Sequence, residues 1–72
     1  MADSSPPSPA PELSSITTAL ADLTRRVTAI ADRSQGTDLD WLSSTLFDVE
    51  RSLKDAVRRL SSAGTALQQN RR

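Results

Sequence analysis

The spacing of apolar residues is the feature that most constrains how this chain can fold. A first run has alternating spacings of 3 and 4 residues and comprises Leu13, Ile16, Leu20, Leu23, Val27 and Ile30. A second run with the same spacings comprises Leu39, Leu42, Leu46, Val49, Leu53, Ala56, Leu60, Ala63 and Leu67. Such residues form one stripe along an α-helix, at positions a and d of a heptad. The sequence therefore predicts two amphipathic helices, each with an apolar seam.

The segment between the two runs predicts a tight turn. Gly36 can take the left-handed conformation that ends a helix, and Thr37 with Asp40 resembles a capping box. The predicted fold is therefore all-α, an antiparallel two-helix hairpin that resembles a coiled coil. Its predicted parts are a helix over 12–34, a turn over 35–37 and a helix over 38–69.

The two ends of the chain differ from the predicted hairpin, which occupies residues 12–70. Residues 1–11 are rich in serine and contain four prolines, which interrupt helices. We expect a disordered tail there. Arg71 and Arg72 form a basic C-terminal end.

The unequal lengths of the two predicted helices indicate that the hairpin assembles with a further chain. Folding the chain at Gly36 would set Ile30 beside Leu42 and Leu13 beside Arg58, so that the chain from Leu60 onward has no partner. A chain of 72 residues without cysteine buries little surface and has no disulfide to stabilise it. A homodimer that forms a four-helix bundle would cover the unpaired surface, and two-fold dimers are the commonest oligomers.

Residues outside the seam indicate where a partner could bind. Trp41 and Phe47 are the only aromatic residues of the chain and lie on opposite sides of the predicted seam. Aromatic residues are enriched at protein interfaces. The predicted partner-binding residues are Trp41, Phe47, Val57, Leu60 and Leu67. The predicted function is a non-catalytic protein-protein interaction module, a small regulatory, adaptor or scaffold protein that self-associates or packs on a partner helix.

The residue inventory argues against catalysis. Histidine, cysteine and tyrosine are absent, so the common nucleophile and base pairs cannot form. Asp38 and Asp40 could contact a cation, but acids are also favoured at a helix start, and the other ligands of a calcium loop are missing. We therefore expect no enzyme activity, no cofactor and no metal site.

A repeated segment gives the alternative function. The sequence LADLTRRV recurs as LKDAVRRL and places Arg25 with Arg26, and Arg58 with Arg59, at heptad positions f and g. Each pair follows an aspartate that can form ion pairs along its own helix. The four arginines could also contact phosphate in a nucleic-acid-associated protein. The net charge of zero argues against this, as does an expected separation of roughly 20 Å between the pairs at 1.5 Å per residue.

Composition also predicts a setting for the protein. No apolar run approaches the roughly 20 residues that cross a bilayer, and the N-terminus lacks the pattern of a signal peptide. We expect a soluble, cytoplasmic protein with no membrane contact. The abundance of arginine, alanine and serine suits a bacterial genome rich in G and C.

Overall fold

A computed structural model describes residues 8–70, which form two α-helices and no strand. Helix α1 spans Ala10–Ser34 and helix α2 spans Asp40–Gln69. The helices pack side by side along their lengths, which confirms the predicted all-α hairpin. Of the predicted tail and basic end, residues 1–7 and 71–72 lie outside the described residues.

Helix α1 begins two residues before the predicted start. Pro11 lies in its first turn, where a missing backbone N–H costs no helical hydrogen bond. The hydroxyl of Ser8 accepts a hydrogen bond from the backbone N–H of Ala10 at 3.2 Å. Residues 10 and 11, which we expected in the tail, are therefore helical.

The connection between the helices is longer than the predicted turn because it spans residues 35–39. Gly36 has φ of +77°, the left-handed conformation predicted for it. Its N–H donates to the carboxylate of Asp40 at 2.7 Å. The Thr37 hydroxyl donates to the carbonyl of Ser34 at 2.6 Å and accepts from the N–H of Leu39 at 3.0 Å. The predicted capping box does not form, because Thr37 closes the end of α1 and Leu39 precedes α2.

The longer connection changes which residues of the two helices are neighbours. The predicted register would set Thr28 beside Ser44, but the Thr28 hydroxyl donates to Glu50 Oε2 at 2.6 Å, a displacement of six residues. At the other end, Leu13 lines a shallow groove together with Leu60 and Gly64. The predicted overhang from Leu60 onward is therefore wrong, since this part of α2 lies beside the start of α1.

Small side chains form the buried part of the hairpin. Among the described residues, the buried positions are Thr24, Ala31, Ser34 and Ser43. The hydroxyls of Thr24 and Ser34 donate to carbonyls one turn earlier in α1, at 2.7 and 2.9 Å, so burial leaves neither without a partner. Within residues 8–70 no large side chain is fully buried. The most buried positions between the two helices are therefore small residues, and the large aliphatic residues are half-buried or exposed.

Candidate protein-interaction surface

Heptad positions describe how the aliphatic residues are distributed around each helix. With Val27 and Leu60 at position a, three columns matter. The a column comprises Leu13, Leu20 and Val27 in α1 and Leu46, Leu53, Leu60 and Leu67 in α2. The d column comprises Ile16, Leu23 and Ile30 in α1 and Leu42, Val49, Ala56 and Ala63 in α2. The e column comprises Thr17, Thr24 and Ala31 in α1 and Ser43, Glu50, Val57 and Gly64 in α2.

The hairpin packs through its a and e columns, whereas the predicted seam used a and d. The aliphatic members of the a column are half-buried, and Ser34, which is also at position a, is buried. The e column contains Thr24, Ala31 and Ser43, which are buried. In the d column, Leu23 is 46% exposed. Ile16, Ile30 and Val49 are exposed as well. Most of the d half of the predicted seam is therefore exposed, and only Leu42 and Ala56 in it are half-buried.

The d columns of both helices lie on the same side of the hairpin. The opposite side is fixed by contacts: Thr28 bonds to Glu50, and Thr24 lines a groove with Val57. Thr28 occupies position b, and Thr24, Glu50 and Val57 occupy position e. Positions d and e flank position a in opposite directions on a helix of 3.6 residues per turn. The d columns therefore form one continuous surface, which we call the open face.

The predicted partner-binding residues do not lie together. Trp41 is 67% exposed at position c, where it points away from α1. Phe47 is half-buried at position b, on the side opposite the open face. Val57 and Leu60 line grooves together with residues of α1, and Leu67 is half-buried in the a column. Only Trp41 among these five is exposed.

Sequence reasoning missed the exposed members of the d column as a contact surface. They were assigned to the hairpin core because isoleucine and leucine at a regular spacing are typical of a core. The small residues of the e column could have indicated that most of the d column is exposed. Thr24 and Ala31 in α1 and Ser43 in α2 are small enough for two helices to approach closely. Three columns of apolar or small residues per heptad are more than one neighbouring helix can cover.

The side opposite the open face carries a polar contact between the helices. Glu50 accepts the hydrogen bond from Thr28, and Lys54 Nζ lies 3.5 Å from the same carboxylate oxygen. The Thr28 hydrogen bond lowers the pKa of Glu50 below its ordinary value of 4.5, the positive charge of Lys54 adds to this, and partial burial opposes it. This side is therefore already occupied by a polar contact within the chain.

The arginines at positions f and g form ion pairs mostly with their own helix. Arg25 lies 2.9 Å from Asp22. Asp55 contacts Arg58, and Arg59 Nε lies 2.9 Å from the same carboxylate. The pKa of Asp55 is lowered, mainly by the hydrogen bond from Arg58.

Arg26 differs from the other three arginines. Within the part of the chain that the structure describes, no carboxylate lies within 4.0 Å of it. The observed register sets Arg26 level with Ser52. The axial distance from there to Arg59 is roughly 10 Å at 1.5 Å per residue, half the separation expected from the sequence.

The described residues contain neither a membrane-spanning helix nor a metal-binding cluster. Neither helix, over the residues described, has an apolar stretch of the length that crosses a membrane. The same residues contain no cluster of three acidic side chains that could hold a metal ion. No family model, curated protein or solved structure matches the chain.

Proposed function

We propose that this protein is a non-catalytic protein-protein interaction module that binds its partner through the open face. A single observation carries the proposal. The hairpin buries Ala31 and Thr24 between its helices while Ile16, Leu23 and Ile30 are exposed in one column. A core of small residues beside an exposed aliphatic column is the arrangement expected of one half of a larger helical assembly.

Energetics favour a partner for this surface. Complete burial of a leucine or isoleucine side chain stabilises a protein by about 1.5 to 3 kcal/mol. The hairpin gains only part of this at its a column, whose members are half-buried, and little at its d column. Since ordering a residue costs roughly 1.5 kcal/mol, a partner that covers the open face would supply the missing stabilisation.

The chemistry of the open face indicates the type of partner. Its centre is aliphatic, and position g at its border carries Arg26 and Arg33 in α1 and Arg59 in α2. An apolar centre with a charged border is typical of protein interfaces. The partner is a helical surface with its own apolar stripe, either another copy of the chain or an amphipathic helix. In this role the protein acts as a small regulatory, adaptor or scaffold protein, and its cytoplasmic location stays a prediction from composition.

The ion pairs support this role over nucleic-acid binding. Arg25, Arg58 and Arg59 each contact an aspartate of their own helix. A phosphate would have to compete with these carboxylates for the guanidinium groups. The net charge of zero provides no general attraction for a polyanion.

A matched pair of variants tests the proposal. Leu23→Lys puts a charge at the centre of the open face, and Thr18→Lys puts the same charge at an exposed f position of α1. The proposal predicts at least one protein, a second copy included, that binds the wild type and the Thr18 variant but loses binding to the Leu23 variant. If every bound protein is retained equally by all three, the proposal is wrong.

A further inference from the structure

We propose that the open face binds a second copy of the same chain, with the two hairpins packed face to face and both turns at the same end. This inference rests on the proposed function and names the partner. It commits to a closed two-fold dimer in which α1 of one copy lies against α2 of the other. The reasons are the size of the surface, its shape and the position of its charges.

The area of the open face matches what a small dimer requires. The d column of α2 extends from Leu42 to Ala63, roughly 30 Å at 1.5 Å per residue. Two helices side by side are roughly 20 Å wide, so the face covers roughly 600 Å². Two such faces bury roughly 1,200 Å², the lower limit for specific protein interfaces. Larger partners are therefore not needed to cover this surface.

Side-chain sizes are complementary at two of the three levels of the face. The register sets Leu23 of α1 level with Ala56 of α2, and Ile16 level with Ala63. When both turns lie at the same end, these levels are kept between the copies. Leu23 then faces the second copy's Ala56, and Ile16 faces its Ala63. At these two levels each intermolecular pair of helices combines one larger and one smaller side chain, whereas at the third level Ile30 meets Val49 of the second copy.

The opposite orientation fits less well. With the turns at opposite ends, α1 would face α1 of the second copy and α2 would face α2. With Leu23 against Leu23 of the second copy, Ile16 would meet Ile30, so that every pair in α1 would be large. In α2, Ala56 would meet Ala56 and Ala63 would meet Val49. Since interhelical distance depends on the side chains at the contact, one pair of helices would be held apart while the other left gaps.

The charged residues at the border tolerate the proposed orientation. Arg26 of one copy would lie level with Ser52 of the other, and Arg59 would lie level with Ala19. No arginine faces another arginine. Along the bundle axis, Arg26 would also lie between Asp48 and Asp55 of the second copy, because Ser52 is four residues from Asp48 and three from Asp55. This arrangement gives Arg26 acidic neighbours that its own hairpin does not provide within 4.0 Å among the described residues.

The dimer would also complete the half-buried a column. Position a lies between e, which faces the other helix of the same copy, and d, which faces the second copy. Leu20 and Leu53 therefore point toward the axis of the four-helix bundle. Both are half-buried in the single hairpin and would lie in the shared core of the dimer.

Distance measurement between spin labels tests this geometry in the full chain. The sequence contains no cysteine, so Asp38→Cys provides one label site in the exposed connection. With both turns at one end, the labels should be roughly 20 to 30 Å apart, the diagonal of a bundle whose helices are 8 to 10 Å apart plus the label arms. Turns at opposite ends would separate them by more than roughly 40 Å, the length of a helix. Dilution with a tenfold excess of unlabelled chain should abolish the dipolar signal.

The possible results separate this inference from the proposed function. A short distance that disappears on dilution and in the double variant Leu23→Lys/Asp38→Cys supports both. A long distance overturns the orientation but leaves the interaction module standing. Absence of dipolar coupling, with a monomeric mass, overturns the second copy as partner. In that case the proposed function is tested by the binding of a different protein, which Leu23→Lys should abolish.

Discussion

Leu23 and Thr24 are neighbours in α1, yet the leucine is 46% exposed and the threonine is 6% exposed. At these two positions the hairpin buries the smaller side chain rather than the more hydrophobic one. Thr24 satisfies its hydroxyl at the carbonyl of Leu20 and lets α2 approach. Leu23 is left on the open face, where only another molecule can bury it.

Close approach of the helices at Ala31, in the e column, predicts that a larger side chain at this position is not tolerated. Ala31 is 0% exposed. Ala31→Leu should destabilise the hairpin by about 1 to 3 kcal/mol, because inserted methylene groups push the helices apart. Ala29→Leu, at an exposed position of the same helix, should change stability by less than about 0.5 kcal/mol. Urea unfolding followed by circular dichroism measures both. Equal stability of the two variants would contradict the packing through the e column.

The two glycines should respond in opposite ways to replacement by alanine. A Cβ atom added at Gly64 meets no atom within 4 Å, so Gly64→Ala should stabilise α2 by about 0.5 to 1 kcal/mol. Gly36 has φ of +77°, a conformation that costs other residues about 1 to 2 kcal/mol. Gly36→Ala should therefore lower the melting temperature, whereas Gly64→Ala should raise it. A lower melting temperature for Gly64→Ala would show that the helix end requires glycine.

Acid should weaken the contact between Thr28 and Glu50. The folded chain lowers the pKa of Glu50 below 4.5, so the stabilisation is present above that value and is lost as the pH falls through the lowered pKa. The free energy of unfolding of the wild type should therefore fall more steeply below pH 4.5 than that of Glu50→Gln. Asp55→Asn should reduce the slope only below about pH 3.8, the ordinary value for that group. Identical slopes for wild type and Glu50→Gln would show that the contact between Thr28 and Glu50 does not stabilise the folded chain.

Binding to nucleic acid should be absent near physiological salt. Fluorescence anisotropy of a labelled DNA or RNA duplex, titrated with protein at about 0.15 M salt, should show no saturable change, since phosphate contacts weaken steeply with salt. Arg26→Ala and Arg59→Ala should make no difference. Binding that falls with salt and is reduced by both substitutions would instead favour the nucleic-acid-associated alternative.

The predicted hairpin was correct because its signals are local. Heptad spacing specifies two helices, and Gly36 marks the end of the first through a backbone requirement that no other residue meets as easily. The a column was also placed correctly. These features depend on residues a few positions apart, which a sequence displays directly.

The register and the packed face could not be predicted in the same way. The connection, in which Thr37 and Asp40 form hydrogen bonds, is two residues longer than predicted, and the register also depends on contacts between residues far apart in the sequence, such as Thr28 with Glu50. The choice between d and e depends on which residues allow two helices to approach most closely. From hydrophobicity alone Leu23 is expected to be more buried than Thr24, whereas in the hairpin Thr24 is the buried residue.

The mass of the protein in solution tests the central claim most directly. Sedimentation equilibrium of the full chain at tens of micromolar should give twice the chain mass of 7.8 kDa, and Thr18→Lys should behave alike. Leu23→Lys should raise the dissociation constant at least about tenfold, a change of about 1.4 kcal/mol. A wild-type chain that stays at 7.8 kDa over this range, or a dimer that Leu23→Lys leaves unchanged, would contradict dimerisation through the open face.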